Sequence, residues 1–217
     1  MLRASLGNFG KGTLTVLCLG AHSDDIEIGC GGALLTLVER YPQVEFHWAV
    51  FSGDDVRREE AIRASQLFTS RGALKNFIHK NFPDGFLPFM GAEVKQMFEQ
   101  LKHAVSPDLI FTHYRHDAHQ DHRLLSDLTW NTFRDHLILE YEIPKYDGDM
   151  GTPNLFTPLE EGICEKKVES ILSAFRSQQD RRWFNKETFL SVMRLRGMEC
   201  NSPSGYAEAF YCRKLVL

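Results

Sequence analysis

The chain has 217 residues, 43% of them hydrophobic and 25% charged, with a formal net charge of -4 at neutral pH. That is enough for one ordinary domain with a sizeable core, and the composition is that of a globular protein. No basic footprint marks a nucleic-acid partner, and no apolar run approaches the ~20 residues of a membrane-crossing helix.

The first predicted element is a strand from Thr13 to Gly20, an unbroken apolar run of the kind buried on both faces of a parallel sheet. It leads directly into Ala21-His22-Ser23-Asp24-Asp25-Ile26-Glu27. A helix is expected from Gly31 to Arg40, a second strand from Val44 to Phe51, and a helix from Arg57 to Ser70 with Ile62, Leu67 and Phe68 on its apolar side. Asn76 to Lys80 reads as a short strand and Phe82-Pro83-Asp84-Gly85 as a turn. A helix follows from Ala92 to Val105. A strand from Asp108 to Thr112 then runs toward a second cluster, Asp117-Ala118-His119-Gln120-Asp121-His122-Arg123, and a helix continues from Arg123 to Phe133. Leu137 to Ile143 reads as a strand and Lys145 to Leu159, rich in Gly, Pro and Asp, as a long loop. Helices from Glu160 to Ser177 and Lys186 to Arg196 and a strand from Ala207 to Leu217 close the chain.

Strands alternating with helices predict an α/β fold: a three-layer sandwich around a mostly parallel, Rossmann-like central sheet, with residues 1–217 as a single domain. In such sheets ligands bind beyond the carboxyl ends of the strands, and both clusters fall there. Met1 to Asn8 lacks the apolar stretch of a secretory leader. Cys18, Cys30, Cys164, Cys200 and Cys212 are odd in number, scattered and without a C-x-x-C pair, which fits reduced thiols in the cytoplasm.

His22 and Asp25 stand three residues apart, close enough to bind one ion, with Asp24 between them free to act as a base. The bland alternative is that Asp24 or Asp25 caps the following helix. Gly29, Gly31 and Gly32 do not form G-x-G-x-x-G directly after the strand, so close helix-sheet packing is the expectation rather than a dinucleotide loop. His113, His116, His119 and His122 recur every third residue. On a helix each such step drifts by about 60°, so four of them cannot face one ion. His122 is the expected third ligand. His119 would stand beside the metal as an imidazolium, with Asp121 or Asp117 orienting it and raising its pKa. His113 and His116 read as ordinary, partly exposed histidines.

Together the clusters resemble the signatures of the PIG-L/LmbE family of metal-dependent N-deacetylases, A-H-P-D-D-x-E and H-P-D-H, with Ser23 and Gln120 in place of the prolines. Arg57-Arg58-Glu59-Glu60 resembles the family's R-x-x-E, Phe82 to Gly85 its P-D-G turn, and Tyr206-Ala207-Glu208-Ala209-Phe210 its closing A-E-x-F strand. The resemblance runs from about Leu14 to Phe210. It implies zinc (Zn2+) held by His22, Asp25 and His122, although the same ligands suit Fe2+. It further implies Asp24 as general base and His119 as acid or oxyanion stabiliser. Arg57 would either hold substrate or pair with Glu60 on its own helix. Asp84 is expected to form a turn, and Glu208 to be a supporting acid near the site or a paired structural carboxylate.

The implied reaction removes acetate from a small-molecule N-acetylated amino sugar of the GlcNAc type, or from a glycoconjugate. The Lys145–Leu159 loop and the Ser177–Trp183 segment would supply specificity. Trp183 would stack on a sugar or serve as a core or interface residue. No nucleic acid and no transmembrane segment are expected, and a homo-oligomer is allowed. The rival readings are a non-catalytic sugar- or metal-binding protein on the same fold and another metal-dependent amide hydrolase. A two-metal phosphoesterase would need more ligands.

Overall fold

A computed structural model describes residues 12–69 and 73–216. The reading of Met1 to Asn8 and the expected element ends at Ser70 and Leu217 lie outside the described residues. The elements in chain order are β1 (Leu14–Gly20), α1 (Asp25–Arg40), β2 (Val44–Ser52), α2 (Asp55–Phe68), β3 (Leu74–Phe82), a 3-10 turn (Leu87–Met90), α3 (Gly91–Ala104), β4 (Leu109–His113), α4 (Gln120–Thr132), β5 (Leu137–Tyr141), β6 (Leu155–Pro158), α5 (Glu161–Ala174), a 3-10 turn (Arg176–Gln178), α6 (Lys186–Glu199) and β7 (Ala207–Cys212).

The strands form one sheet in the order β3-β2-β1-β4-β5-β7-β6. β1 to β5 are mutually parallel, and β7 runs antiparallel to both β5 and β6. The mostly parallel three-layer sandwich is therefore present. Side chains of β1 alternate between its two faces. Val16 and Cys18 enter one core with residues of α1, α5 and α6, whereas Leu17 and Leu19 enter the other with residues of α3 and α4.

Strand order matters most for the site. The chain moves outward from β1 through β2 to β3, then returns to place β4 on the other side of β1. At such a reversal the connections after the two central strands diverge to opposite faces and leave a crevice at their carboxyl ends. The connection after β1 carries His22 to Asp25, and the connection after β4 carries Asp117 to His122.

Several boundaries differ from the expectations. α1 begins at Asp25, not Gly31, and passes straight through its glycines. Glycine is a poor helix former, but here it lets the helix approach its neighbours. A Cβ at Gly29 would strike the Tyr141 ring, and one at Gly31 would strike Phe68. The packing reading of these glycines thus holds. β6 falls inside the expected Lys145–Leu159 loop; it has four residues, ends in proline and, among the described residues, pairs only with β7. A short edge strand of this kind carries little periodicity. α5 ends at Ala174 and gives way to the Arg176–Gln178 turn rather than running to Ser177.

Candidate metal centre and active site

β1 delivers His22 and α1 begins with Asp25, so the first turn of the helix sets their spacing. The Asp25 carboxylate folds back, its Oδ2 accepting the His22 backbone N–H at 2.6 Å. His22 Nδ1 lies 3.3 Å from that oxygen and 3.2 Å from His122 Nε2. His122 Nε2 is 3.6 Å from Asp25 Oδ1. Ligand atoms about 2.1 Å from a tetrahedral ion stand roughly 3.4 Å apart, which the His22–His122 pair matches, while Asp25 turns Oδ2 to His22 and Oδ1 to His122. Among the described residues, the groups whose single donor atoms all lie within 4.8 Å of one another are His22 with His119 and His122, Asp25 with His113 and His122, and His22 with Asp84, His119 and Asp121.

The outer nitrogens of both rings are also held. His22 Nε2 faces Asp84 Oδ1 at 3.0 Å and Asp121 Oδ2 at 3.3 Å. His122 Nδ1 meets Asp117 Oδ2 at 3.0 Å. A carboxylate on the far nitrogen fixes a ligand ring's tautomer and direction. Charge adds to the case. Burial works against a proton on His22, but Asp25, Asp121 and Asp84 outweigh it and raise the His22 pKa well above its ordinary value. At His122 burial and the neighbouring His113 prevail and lower it. Burial likewise opposes charge on Asp25, yet His122, His113 and His22 hold its pKa well below the usual carboxylate range.

Asp24 occupies the position before α1, but its side chain makes no capping bond. It is instead paired with Arg57, whose Nη2 lies 2.9 Å from Asp24 Oδ1. Arg57 also reaches Glu60 at 3.0 Å, so the helix ion pair is present alongside the Asp24 contact. Burial pulls the guanidinium's pKa down, and Asp24 and Glu60 more than reverse this.

His119 caps α4. Its Nδ1 accepts the Asp121 backbone N–H at 3.3 Å, which leaves the ring proton on Nε2. Neither expected acid orients the ring. Asp117 Oδ1 takes the His119 backbone N–H at 2.7 Å, and its other oxygen serves His122. Asp121 accepts the Gly85 and Leu87 backbone N–H groups at 2.8 and 3.1 Å, anchoring the Asp84 turn beneath His22. Burial, with His122 and His22 adding to it, lowers the His119 pKa, against the expectation of a raised one.

The structure corrects two further expectations, for His113 and Asp84, and gives Glu208 the second of its two expected roles, that of a paired structural carboxylate. His113 is fully buried: Nε2 accepts the Ala21 N–H at 2.9 Å, and the ring stacks on His122 with centroids 3.9 Å apart. Its position at the end of an apolar central strand was the available signal. His116 is exposed. Asp84 does lie in a turn, yet it also touches His22. Glu208 lies away from these ligands, paired with Lys167 at 2.6 Å and accepting the Gly32 and Ala33 N–H groups. Glu27 is buried with neither oxygen hydrogen-bonded among the described residues, and burial raises its pKa well above normal.

These groups open into a cleft of about 970 Å³. His22, Asp24, Asp25, His119 and His122 line one side. Lys145, Tyr146 and Asp147 from the loop after β5 line the other, together with Ser177, Gln178, Arg181 and Trp183 from the α5–α6 connection. Trp183 lies in the cleft lining and also packs on the core, with Phe184 and Phe189 edge-on to it.

The profile of the PIG-L family, described as GlcNAc-PI de-N-acetylase, matches residues 17–133, more than half of the chain. The chain belongs to the PIG-L family. The matched span runs from β1 to the end of α4 and so contains both His/Asp clusters. Solved structures share the PIG-L architecture at low identity. The N,N'-diacetylchitobiose deacetylase from Pyrococcus horikoshii aligns with a TM-score of 0.71 and 20% identity, over 96% of this chain and 86% of that one. The A40926 pseudoaglycone deacetylase aligns with a TM-score of 0.70 and 15% identity, over 93% and 97%. A 4-carboxy-2-hydroxymuconate hydratase from Pseudomonas putida aligns with a TM-score of 0.72 and 18% identity, over 94% and 97%. At these identities the likeness concerns the fold, and the hydratase indicates that the fold alone does not dictate one reaction. Among the described residues no helix is long and apolar enough to cross a membrane.

Proposed function

We propose that this PIG-L member is a metal-dependent hydrolase that removes the acetyl group from a GlcNAc-type N-acetylated amino sugar or its conjugate. His22, Asp25 and His122 would hold the ion, zinc by preference and Fe2+ as the alternative. The observation that carries the reading is the meeting of His22, Asp25 and His122 in the cleft, His22 Nδ1 3.2 Å from His122 Nε2 and each ring within 3.6 Å of one Asp25 oxygen, with Asp24 and His119 beside them. Two of the structural relatives are deacetylases, which supports the same chemistry. The described chain would act as one domain, because residues from both its first and its last third line the cleft.

When bound, the ion would acidify a water and polarise the amide carbonyl. Asp24, aimed by Arg57, accepts the proton as the water oxygen bonds to the carbonyl carbon. His119 donates its Nε2–H to the carbonyl oxygen as negative charge builds there. The carbon–nitrogen bond then breaks, Asp24 returns its proton to the departing nitrogen, and acetate and a free amino sugar result. Asp121 holds the Asp84 turn and caps the far side of His22, and so acts on the site through other residues.

The test is metal analysis of the purified protein alongside acetate release from free GlcNAc, diacetylchitobiose and a GlcNAc glycoside. Equal amounts of acetate and new amine from at least one of them are expected. Stoichiometric metal without acetate from any would favour a binding protein, and absence of metal would overturn the ligand set.

A further inference from the structure

The turn from β1 into α1 runs from His22 to Asp25. The Asp25 N–H closes it by donating to the His22 carbonyl at 3.4 Å, at the long limit of a hydrogen bond. Asp24 holds φ -120 and ψ -5, near the third position of a type I turn. Ser23 is then the second residue, where proline is favoured because its ring presets φ. It is also a position at which this chain departs from the A-H-P-D-D pattern. Serine has no such ring, and the bond that closes the turn is weak. A second brace, the Asp25 carboxylate on the His22 N–H at 2.6 Å, is itself an expected metal ligand.

Ser23 is instead held from across the sheet. Its side chain is buried, and its hydroxyl shares a hydrogen bond of 3.2 Å with Nε2 of His79, 56 positions away on β3. Gly53, at the end of β2, passes beside this bond at φ +148, a conformation that side-chain-bearing residues rarely adopt. A Cβ there would stand 2.8 Å from Ser23 Oγ and 2.9 Å from His79 Nε2, so the glycine clears the space in which the two side chains meet. The neighbouring Ser52 N–H donates to the Ala21 carbonyl at 2.9 Å and ties the end of β2 to the same turn.

We propose that His79 is a positioning residue of the reaction: through Ser23 it fixes the turn between His22 and Asp24, doing across the sheet what the ring of a proline would do within the chain. This rests on the reading of His22 as metal ligand and Asp24 as general base. Rate depends on such a turn because the reacting groups must be held within a fraction of an ångström of their productive geometry.

The test is a set of double-mutant cycles on the metal-loaded full chain. In His79→Phe, which keeps a ring but no nitrogen, kcat should fall about tenfold with KM within about twofold. Ser23→Ala should do the same, and the two together should be no worse than either alone. His79→Gln, which can still bond to Ser23, should keep most of the activity. In a Ser23→Pro background, adding His79→Phe should change kcat less than twofold, because the ring then sets the turn. A merely structural His79 would cost as much in that background as in the wild type, and that result overturns the proposal. Additive losses in Ser23→Ala with His79→Phe also overturn it, and this cycle decides the matter if Ser23→Pro does not fold. So does a rise in KM with kcat intact, which would make the pair a substrate contact.

Exchange of the Asp25 backbone N–H with deuterated solvent, followed by NMR without substrate, gives a readout independent of turnover. Relative to the amides of β1 it should quicken about tenfold in His79→Phe and stay unchanged when His79→Phe is added to Ser23→Pro. An unchanged rate in His79→Phe overturns the proposal. A wild type that releases no acetate, with the exchange behaving as expected, would sink the deacetylase reading and leave the bracing of the turn standing.

Discussion

The two walls of the cleft are built on different principles. The wall at the ends of β1 and β4 holds side chains such as His22, Asp121 and Asp117 that each answer to two or more partners. Asp117 alone accepts from His122 Nδ1, the His119 backbone N–H and Lys145. The facing wall is made of connecting segments, where Tyr146 is 81% exposed and Arg181 is open to solvent. Reacting groups need geometry held to a fraction of an ångström, and buried, mutually bonded residues on strand ends supply it. Groups that only select a substrate can sit on loops.

Substitutions at four positions and one pH measurement test that division. The largest effect is expected from His122→Ala, which should lose the ion and all turnover; metal content after dialysis decides it, and a variant that keeps both metal and activity would refute the ligand set. Asp24→Asn comes next. It should retain metal while acetate release falls about 1000-fold, within the range of a lost general base. Near-normal turnover would remove Asp24 from that role.

Lys145 belongs to the loop wall by sequence but reaches across to Asp117 at 2.9 Å. Lys145→Met should weaken metal retention about tenfold, and Lys145→Arg should recover most of it. Competition against a chelator measures this. Unchanged metal affinity with a raised KM would return Lys145 to the substrate wall. Trp183→Ala should do the reverse of the first two, raising KM about threefold with kcat and metal unchanged, as expected for a residue contributing only binding.

The smallest effect concerns pH. Burial, with Arg58 and Arg57 nearby, lowers His79 to about 4. The unfolded chain would protonate this ring near its ordinary value of about 6.5. The unfolded state therefore binds more protons between those values, and the His79 contribution to stability is full above pH ~6.5 and fades as pH falls toward 4. His79→Gln should flatten that part of a thermal-midpoint-versus-pH curve, and an identical curve would show that the ring contributes nothing.

The fold was largely legible because parallel strands buried on both faces leave unbroken apolar runs, as from Leu14 to Gly20. Its misses have specific causes. β6 is too short and too peripheral to carry a pattern, and the start of α1 was hidden behind glycines that the helix uses for close packing. At the site, the clusters of His22 to Asp25 and His119 to His122 were readable because chemistry-bearing residues followed directly on strands. His113 was misread as partly exposed, because a threefold repeat of histidines says nothing about which lie between strand ends.

The sequence by itself determined the fold class, the family resemblance and the two places where ligands could gather, since hydrophobic runs and short motifs are local and survive in one dimension. Only the tertiary structure decided the partners: Asp117 on His122 rather than His119, Asp84 and Asp121 behind His22, Arg57 on Asp24, and Glu60 joined to Ser177 across 117 positions. Such pairings depend on which strand ends and loops the sheet order brings together, and hydrogen bonds a few ångströms long between residues far apart in the chain leave no periodic trace in the sequence.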